Sequence, residues 1–424
     1  MRARQPIGVT RILLGTQLVF NLGFYAVVPF LAGAMGNDFG MDAAAIGFVL
    51  GARTFSQQGM FLIGGMVADR WGAKRAILLG CLVRIGGYAA LAAAYDFPLF
   101  LLGAILTGAG GALFSPALES QLGRTELSNT KTQRTDRGRP RSVFVWLAIT
   151  GEFGALLGPL IGAALLGWGF DAALTLGMGV FTVVAVALWI QLPSDPRPDQ
   201  LTPDGTATPR RLNALASLGN RPFVIFCALA SVKMLAYNQL YFLIPLELGR
   251  RGLDDSLLAA LFLMASLLTI ALQLPVSSAV RRIGHRRAIP VGFLLLAAAF
   301  TVGAFPIPQT ASQWQSIATM GIIVALLILG HMTLTPTILA LIPEFLPDDA
   351  APRLGAYYGL AASCGGIAVL VGNTAVGQVR YLTEHAAWTG APWLLLVALM
   401  AAPALILPRT IPTPRPEPSP AARA

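Results

Sequence analysis

Four ionisable side chains sit deep inside long apolar runs: Arg53, Arg84, Glu152 and Lys233. A charge at the centre of a bilayer-spanning helix costs about 2.5–3.5 kcal/mol on insertion scales, so it faces a bundle interior or a wet cavity. Glu152 is the one deep acid. Burial makes a carboxyl hold its proton, and a nearby cation loosens that hold. A carboxyl balanced between the two can take a proton from one side and release it to the other. Glu152 is therefore the expected proton carrier, with Arg84 and His331 as further coupling candidates. The plainer alternatives are a permanent Glu152–Arg84 or Glu152–Arg53 ion pair, and a neutral, hydrogen-bonded core histidine at 331. If Arg53, Arg84 and Lys233 line a cavity, three positive charges against one negative favour neutral, zwitterionic or anionic substrates. Asn21, Tyr25, Gln57, Gln58, Tyr237, Asn238 and Tyr241 are placed to add hydrogen bonds and aromatic surface in the first, second and seventh apolar runs.

Other chemistry is missing from the pattern. The sequence has no nucleotide-binding loop, no metal-ligand cluster and no catalytic triad spacing. It is not expected to be an enzyme, to hold a metal, or to need a cofactor beyond a proton gradient. Cys81, Cys227 and Cys364 each fall inside an apolar run and read as small buried hydrophobes, not as a disulfide or metal set.

The elements that must position these charges follow from composition. The chain of 424 residues is 55% hydrophobic and only 12% charged, against about 25% charged for a soluble domain. So few charges cannot cover a water-facing surface of that size. Twelve runs are long and apolar enough to span, at 12–34, 43–67, 75–94, 97–118, 142–167, 172–192, 222–247, 256–279, 288–305, 314–340, 355–379 and 391–408. The first lacks a cleavage site and is expected to stay as a span. No alternating strand pattern is visible, so the fold class is an all-α membrane protein. Of the 30 Lys and Arg residues, 24 fall on the side of the N-terminus and only Arg250, Arg251 and Arg380 in loops on the other. This bias places both termini in the cytoplasm of an inner or plasma membrane protein. The net charge of +10 lies in loops, not on a soluble face, so nucleic acid is not an expected partner.

Residues 193–221, rich in Pro, Asp, Thr and Arg, read as a linker between a six-helix half at 1–192 and another at 222–408, with a disordered tail at 409–424. The halves echo each other. GMVADRWGAKR at 65–75 parallels SSAVRRIGHRR at 277–287, so Gly72, Lys74 and Arg75 match Gly284, Arg286 and Arg287. Tyr25 and Pro29 match Tyr241 and Pro245, and Ser115-Pro116 matches Thr335-Pro336. Repeats of this kind build transporters that rock about a midplane site. The basic segment 123–141 is expected to be a disordered inner-surface loop.

Gly65-x-Val67-Ala68-Asp69-Arg70-x-Gly72-x-Lys74-Arg75 resembles the loop 2–3 signature of the major facilitator superfamily, and it lies between the second and third spans, as that signature does. The resemblance extends over the whole chain in span count, orientation and halves. It implies twelve helices in two pseudo-symmetric halves and a monomer exchanging a small molecule across a bilayer. It also implies a latch between Asp69 and the start of the eleventh span, near Gly355. Gly154-x-x-x-Gly158-Pro159-x-x-Gly162 in the fifth span is similar to the antiporter signature of drug:proton antiporters. The run Leu50 to Gly59, with Arg53, Gln57 and Gln58, resembles the MdtH-type branch of multidrug efflux proteins. The resemblance thus implies proton-coupled export of small amphipathic molecules. The alternatives are a dedicated exporter of a siderophore or secreted metabolite, and a nutrient importer. Two features depart from the pattern. Ala104 stands where the superfamily often has arginine, four residues before Gly108, and the first span holds no acid.

Overall fold

A computed structural model describes residues 6–132, 143–192, 218–305, 312–345, 354–384 and 389–411. Among the described residues the regular structure is helical throughout. The first half holds α1 (Pro6–Val27), α2 (Leu31–Asn37), α3 (Ala43–Gln58), α4 (Phe61–Trp71), α5 (Ala73–Ala92), α6 (Phe97–Thr132), α7 (Val143–Leu166) and α8 (Phe170–Gln191). The second holds α9 (Arg221–Ala230), α10 (Val232–Asn238), α11 (Leu243–Arg250), α12 (Asp255–Ile283), α13 (His285–Ala304), α14 (Gln313–Leu341), α15 (Leu354–Leu382) and α16 (Ala391–Thr410). Eleven described segments are long and apolar enough to cross a membrane. The expected second span is present as α3 and α4, parted at Gly59 and Met60. The break sits where Gly59 and Gly366 of α15 approach backbone to backbone.

The first and seventh spans break alike. In the first, Pro29 opens a 3-10 turn over Val28–Phe30 between α1 and α2. In the seventh, a turn over 239–242 parts α10 from α11, with Pro245 just beyond. The parallel of Tyr25 and Pro29 with Tyr241 and Pro245 therefore marks one interrupted-helix design used twice.

The glycine echo has a backbone cause. Gly72 joins α4 to α5 at φ 90°, ψ 150°, and Gly284 joins α12 to α13 at φ 80°, ψ 152°. This region is open essentially to glycine alone. The basic echo also has a structural role. Lys74 Nζ donates to the carbonyls of Trp189 (2.8 Å) and Leu192 at the end of α8. Arg286 Nη2 donates to the carbonyl of Ile411 (2.7 Å) at the end of α16. In each half, the residue two past the turn glycine caps the last helix of that half, satisfying carbonyls that a helix end leaves open. Replacing Gly72 by Ala is expected to cost about 1–3 kcal/mol through backbone strain, read as a lower thermal midpoint in detergent.

In the signature's own helix, a Cβ at Gly65 meets open space, and the tight contact is at the neighbouring Gly64, against the Ala112 carbonyl of α6. One expectation needs correction. The helix of the fourth span runs on to Thr132, taking in 123–132 of the segment expected to be a disordered loop. Leu118 and Leu122, one turn apart and both buried, extend its apolar face. Residues 133–142, 193–217 and 412–424, which hold the rest of that segment, most of the linker and most of the tail, lie outside the described residues.

Candidate functional site

The three glycines of the fifth-span signature set α7 directly on α1. A Cβ at Gly154 would meet Asn21 Cβ at 2.6 Å, one at Gly158 would meet Tyr25 Cβ at 2.5 Å, and one at Gly162 would meet the Ala26 carbonyl. Pro159 is buried in the same helix. Asn21 Nδ2 donates to the Gly151 carbonyl (3.1 Å), so Asn21 ties α1 to α7. This close packing fixes Tyr25 and Glu152 on the wall of one cavity.

That cavity has a volume of about 300 Å³, at the small end of small-molecule sites. The first half gives it Tyr25, Glu152 and Ala155. The second half gives Tyr237 and Leu240, then Phe262, Ser266, Thr269 and Gln273 of α12, and His331, Met332, Thr335 and Leu339 of α14. Tyr25 and Tyr237 thus bring one tyrosine from each half to the same cavity wall. Tyr241 itself is buried, 5.2 Å from the Phe262 ring centroid, and does not line the cavity. Lys233 stands one side chain behind the wall, its Nζ donating to Thr335 Oγ1 at 3.1 Å.

Both halves meet tightly at the end away from the basic loops. There α3 packs along α15: Gly47 lies against the Asn373 carbonyl, Gly51 against Leu370, and Gly377 against Ala43. Asn373 Nδ2 donates to Asn238 Oδ1 (2.7 Å), Asn238 Nδ2 donates to Thr54 Oγ1 (3.2 Å), and Gln239 Nε2 donates to Asn373 Oδ1 (3.0 Å). Asn238 is thus part of a buried seam and not of the cavity wall. Beyond the seam the lining runs from Phe262 and Ile328 to Gln273 and Leu339, toward the C-terminal ends of α12 and α14, of which α12 ends in Arg281 and Arg282. The cavity therefore lies on the basic side of a sealed end.

The deep arginines are elsewhere. Arg84 is fully buried, its guanidinium carbon 4.5 Å from the Phe20 ring centroid, 5.3 Å from Phe24 and 5.1 Å from Phe181. Its Nε donates to the Thr107 carbonyl of α6 at 3.0 Å, one turn from Ala104. A cation thus reaches the neighbourhood of that departure from the fifth helix, α5. The Arg53 guanidinium carbon also lies over Phe24, 4.9 Å from its ring centroid, and Arg53 donates from Nη2 to Gln57 Oε1 (3.1 Å). Gln58 is half-buried at the α3–α4 break. Cation–π contacts of this kind contribute about 2 kcal/mol each when desolvated, which offsets part of the burial cost without an acid. Among the described residues, neither arginine pairs with Glu152; the acid that gathers arginines is Glu247, with Arg250, Arg251 and Arg380.

Of the four deep charges, then, only Glu152 lines this cavity, joined there by His331, Tyr25 and Tyr237. Arg53 and Arg84, expected as a cationic lining, are not among the residues that line this cavity: Arg53 lies on Phe24, and Arg84 on Phe20, Phe24 and Phe181. Ser266, Thr269 and Gln273 were missed by sequence reading, although their spacing of three and four puts them on one face of an otherwise apolar helix. The expected latch falls outside the described residues, because the side chains of Asp69 and of residues 354–356 are not among them. Arg70 at the end of α4 is exposed.

Comparison with known proteins agrees with this architecture. The Major Facilitator Superfamily model matches residues 13–373 and again 252–424. An uncharacterized MFS-type transporter of Mycobacterium tuberculosis is 32% identical over 403 residues, 92% of this chain and 91% of that one. The multidrug resistance protein MdtH of Proteus mirabilis is 28% identical over 396 residues, 92% of each chain. The crystal structure of an auto-inhibited POT family peptide transporter superposes with a TM-score of 0.72 at 17% identity, covering 96% of this chain and 98% of that one. With twelve membrane-crossing helical elements in two matching halves, this integral membrane chain belongs to the major facilitator superfamily.

Proposed function

We propose that this transporter exports small amphipathic molecules by proton antiport and alternating access, acting as a monomer, with Glu152 as the proton carrier. One observation carries the reading: Glu152 lines a cavity shared by both halves and has no ion-pair partner among the described residues. A carboxyl so placed can be reached by proton and substrate in turn. The similarity to MdtH, named for multidrug resistance, supports the efflux direction. With the basic face in the cytoplasm of an inner or plasma membrane, both termini are cytoplasmic and the cavity opens inward. The membrane potential supplies about 2.3 kcal/mol per charge per 100 mV for uphill export.

The placement of charge shifts the expected substrate class. With Arg53 and Arg84 off the wall, a lone carboxyl and an imidazole face the cavity, which favours molecules carrying an amine, zwitterions included, over anions. Purified protein in liposomes with an internal pH dye tests the proposal, with cationic dyes and carboxylate siderophores added singly. Substrate-driven proton flux is expected for amine-bearing compounds and falls to that of empty vesicles in Glu152→Gln. Full proton flux in that variant would remove Glu152 from the carrier role. Substrate uptake without any proton movement would replace antiport by uniport or another coupling ion.

A further inference from the structure

Lys233, Thr335 and His331 form a continuous chain between α10 and α14. Lys233 Nζ donates to Thr335 Oγ1 at 3.1 Å, and Thr335 Oγ1 lies 3.2 Å from His331 Nε2. The imidazole stacks on Tyr237, with ring centroids 4.2 Å apart and 30° between planes. Its Nδ1 is buried and has no protein partner. Thr335, His331 and Tyr237 all line the cavity. Among the described residues no carboxylate pairs with Lys233.

Hydrogen-bond polarity follows from these contacts. An ammonium only donates, so Thr335 Oγ accepts from Lys233 and must spend its single hydrogen elsewhere. The available acceptor is His331 Nε2, which is therefore bare, with the ring proton on Nδ1. The chain thus has a direction, and it can reverse.

We propose that this chain is a proton path, and that Lys233 is a second proton-binding group of the transporter, in the half opposite Glu152; the proposal rests on the reading of the protein as proton-coupled. In the transfer, a Lys233 N–H bond breaks as a Thr335 O–H bond forms. The original Thr335 O–H breaks as a His331 Nε2–H forms, and the Nδ1–H proton leaves to water once the rocking of the two halves opens the cavity lining at His331 to Nδ1. One proton crosses, Lys233 becomes a neutral amine, and each oxygen and nitrogen keeps its electron pairs. The two hydrogen bonds then run in the reverse sense, with Nε2–H donating to Thr335 and the Thr335 hydroxyl donating to Lys233. Rotation of the hydroxyl resets the path after Lys233 is reloaded.

The groups that bear on Lys233 are few. Tyr237 and Tyr241 share its broken span, His331 comes from α14, and Tyr25 and Glu152 of the first half line the cavity that Thr335 separates from it. The charged residues of the packed helices α9, α15 and α16 are Arg221, Arg380 and Arg409, each at a helix end.

The test needs no substrate. Nitrogen-15 NMR of histidine-labelled protein in lipid, with His331→Gln assigning the signal, is followed across about pH 5 to 10. The wild type is expected to show a bare Nε2 that gains a proton in one step as Lys233 loses its own. That step is expected to vanish in Lys233→Met and in the near-isosteric Thr335→Val, and to survive in Thr335→Ser. A step unchanged in Lys233→Met or Thr335→Val overturns the proposal. The same variants in pH-dye liposomes separate the two readings. Substrate-driven proton flux without a Lys233-dependent step leaves antiport standing and removes the path. A Lys233-dependent step with no substrate-driven flux keeps the proton site and removes antiport.

Discussion

Gly51→Leu is expected to open the sealed end of the transporter. Even a Cβ at Gly51 would lie 2.9 Å from Leu370 Cα and 3.1 Å from its carbonyl oxygen, so both obstacles are backbone and cannot swing aside. Overpacking a close contact costs about 1–3 kcal/mol. That cost falls only on the state in which α3 and α15 touch. At 1.4 kcal/mol per tenfold, the equilibrium moves by a factor of about 5 to 150 toward the state open on the other face. The measurement uses Ser266→Cys, on the cavity wall, after Cys81, Cys227 and Cys364 are replaced. A membrane-impermeant maleimide is expected to label this cysteine from the basic face when Gly51 is intact. With Gly51→Leu, labelling is expected from the opposite face. An unchanged labelling side would mean that α3 and α15 do not form the gate.

Glu247→Ala is expected to give the largest loss of stability of any single exposed-loop or helix-end change. The Glu247 carboxylate holds Arg250 at 2.6 Å, Arg251 at 2.7 Å and Arg380 at 3.2 Å, with its own side chain only 4% exposed. Arg251 and Arg380 are themselves largely buried, at 13% and 12% exposure. Removing the carboxylate leaves those cations together without a counterion, a change that costs about 3–5 kcal/mol. Because Arg380 belongs to α15 and Glu247 to α11, the cluster also ties the seventh span to the eleventh. A thermal midpoint in detergent several degrees below wild type is expected, with Glu247→Gln intermediate. Equal midpoints for Glu247→Ala and wild type would show that solvent already screens the cluster.

The same cluster shows what the sequence could and could not reveal. Arg250, Arg251 and Arg380 were legible as the exceptions to a one-sided distribution of loop charge. Their gathering on one acid was not, because Arg380 is 133 residues away from Glu247. Spans and halves were legible for a simple reason: apolar length is a local property, and so is the turn that only Gly72 and Gly284 can make. The depth of Glu152, Arg53, Arg84 and Lys233 could also be counted along a helix. Facing could not, since a helix of mixed apolar residues gives no rotational phase. Arg53 and Arg84 accordingly turned inward onto Phe20, Phe24 and Phe181, while Glu152 turned to the cavity. The break of the second span at Gly59 depends on Gly366 in another helix and left no local mark. The polar face of α12 did leave one, in Ser266, Thr269 and Gln273.

The paired caps on the last helix of each half have a consequence for how the chain is made. Everything the first cap needs, from the Gly72 turn and Lys74 to the carbonyls of Trp189 and Leu192, is present once residue 192 has been synthesised. Domains fold as units during synthesis, the N-terminal one first. The first half can therefore shut its own ring of helices while the second is still on the ribosome, and the second shuts only when Ile411 arrives to meet Arg286. A pause in translation between the two halves leaves a closed unit in the bilayer, with its helix ends already satisfied.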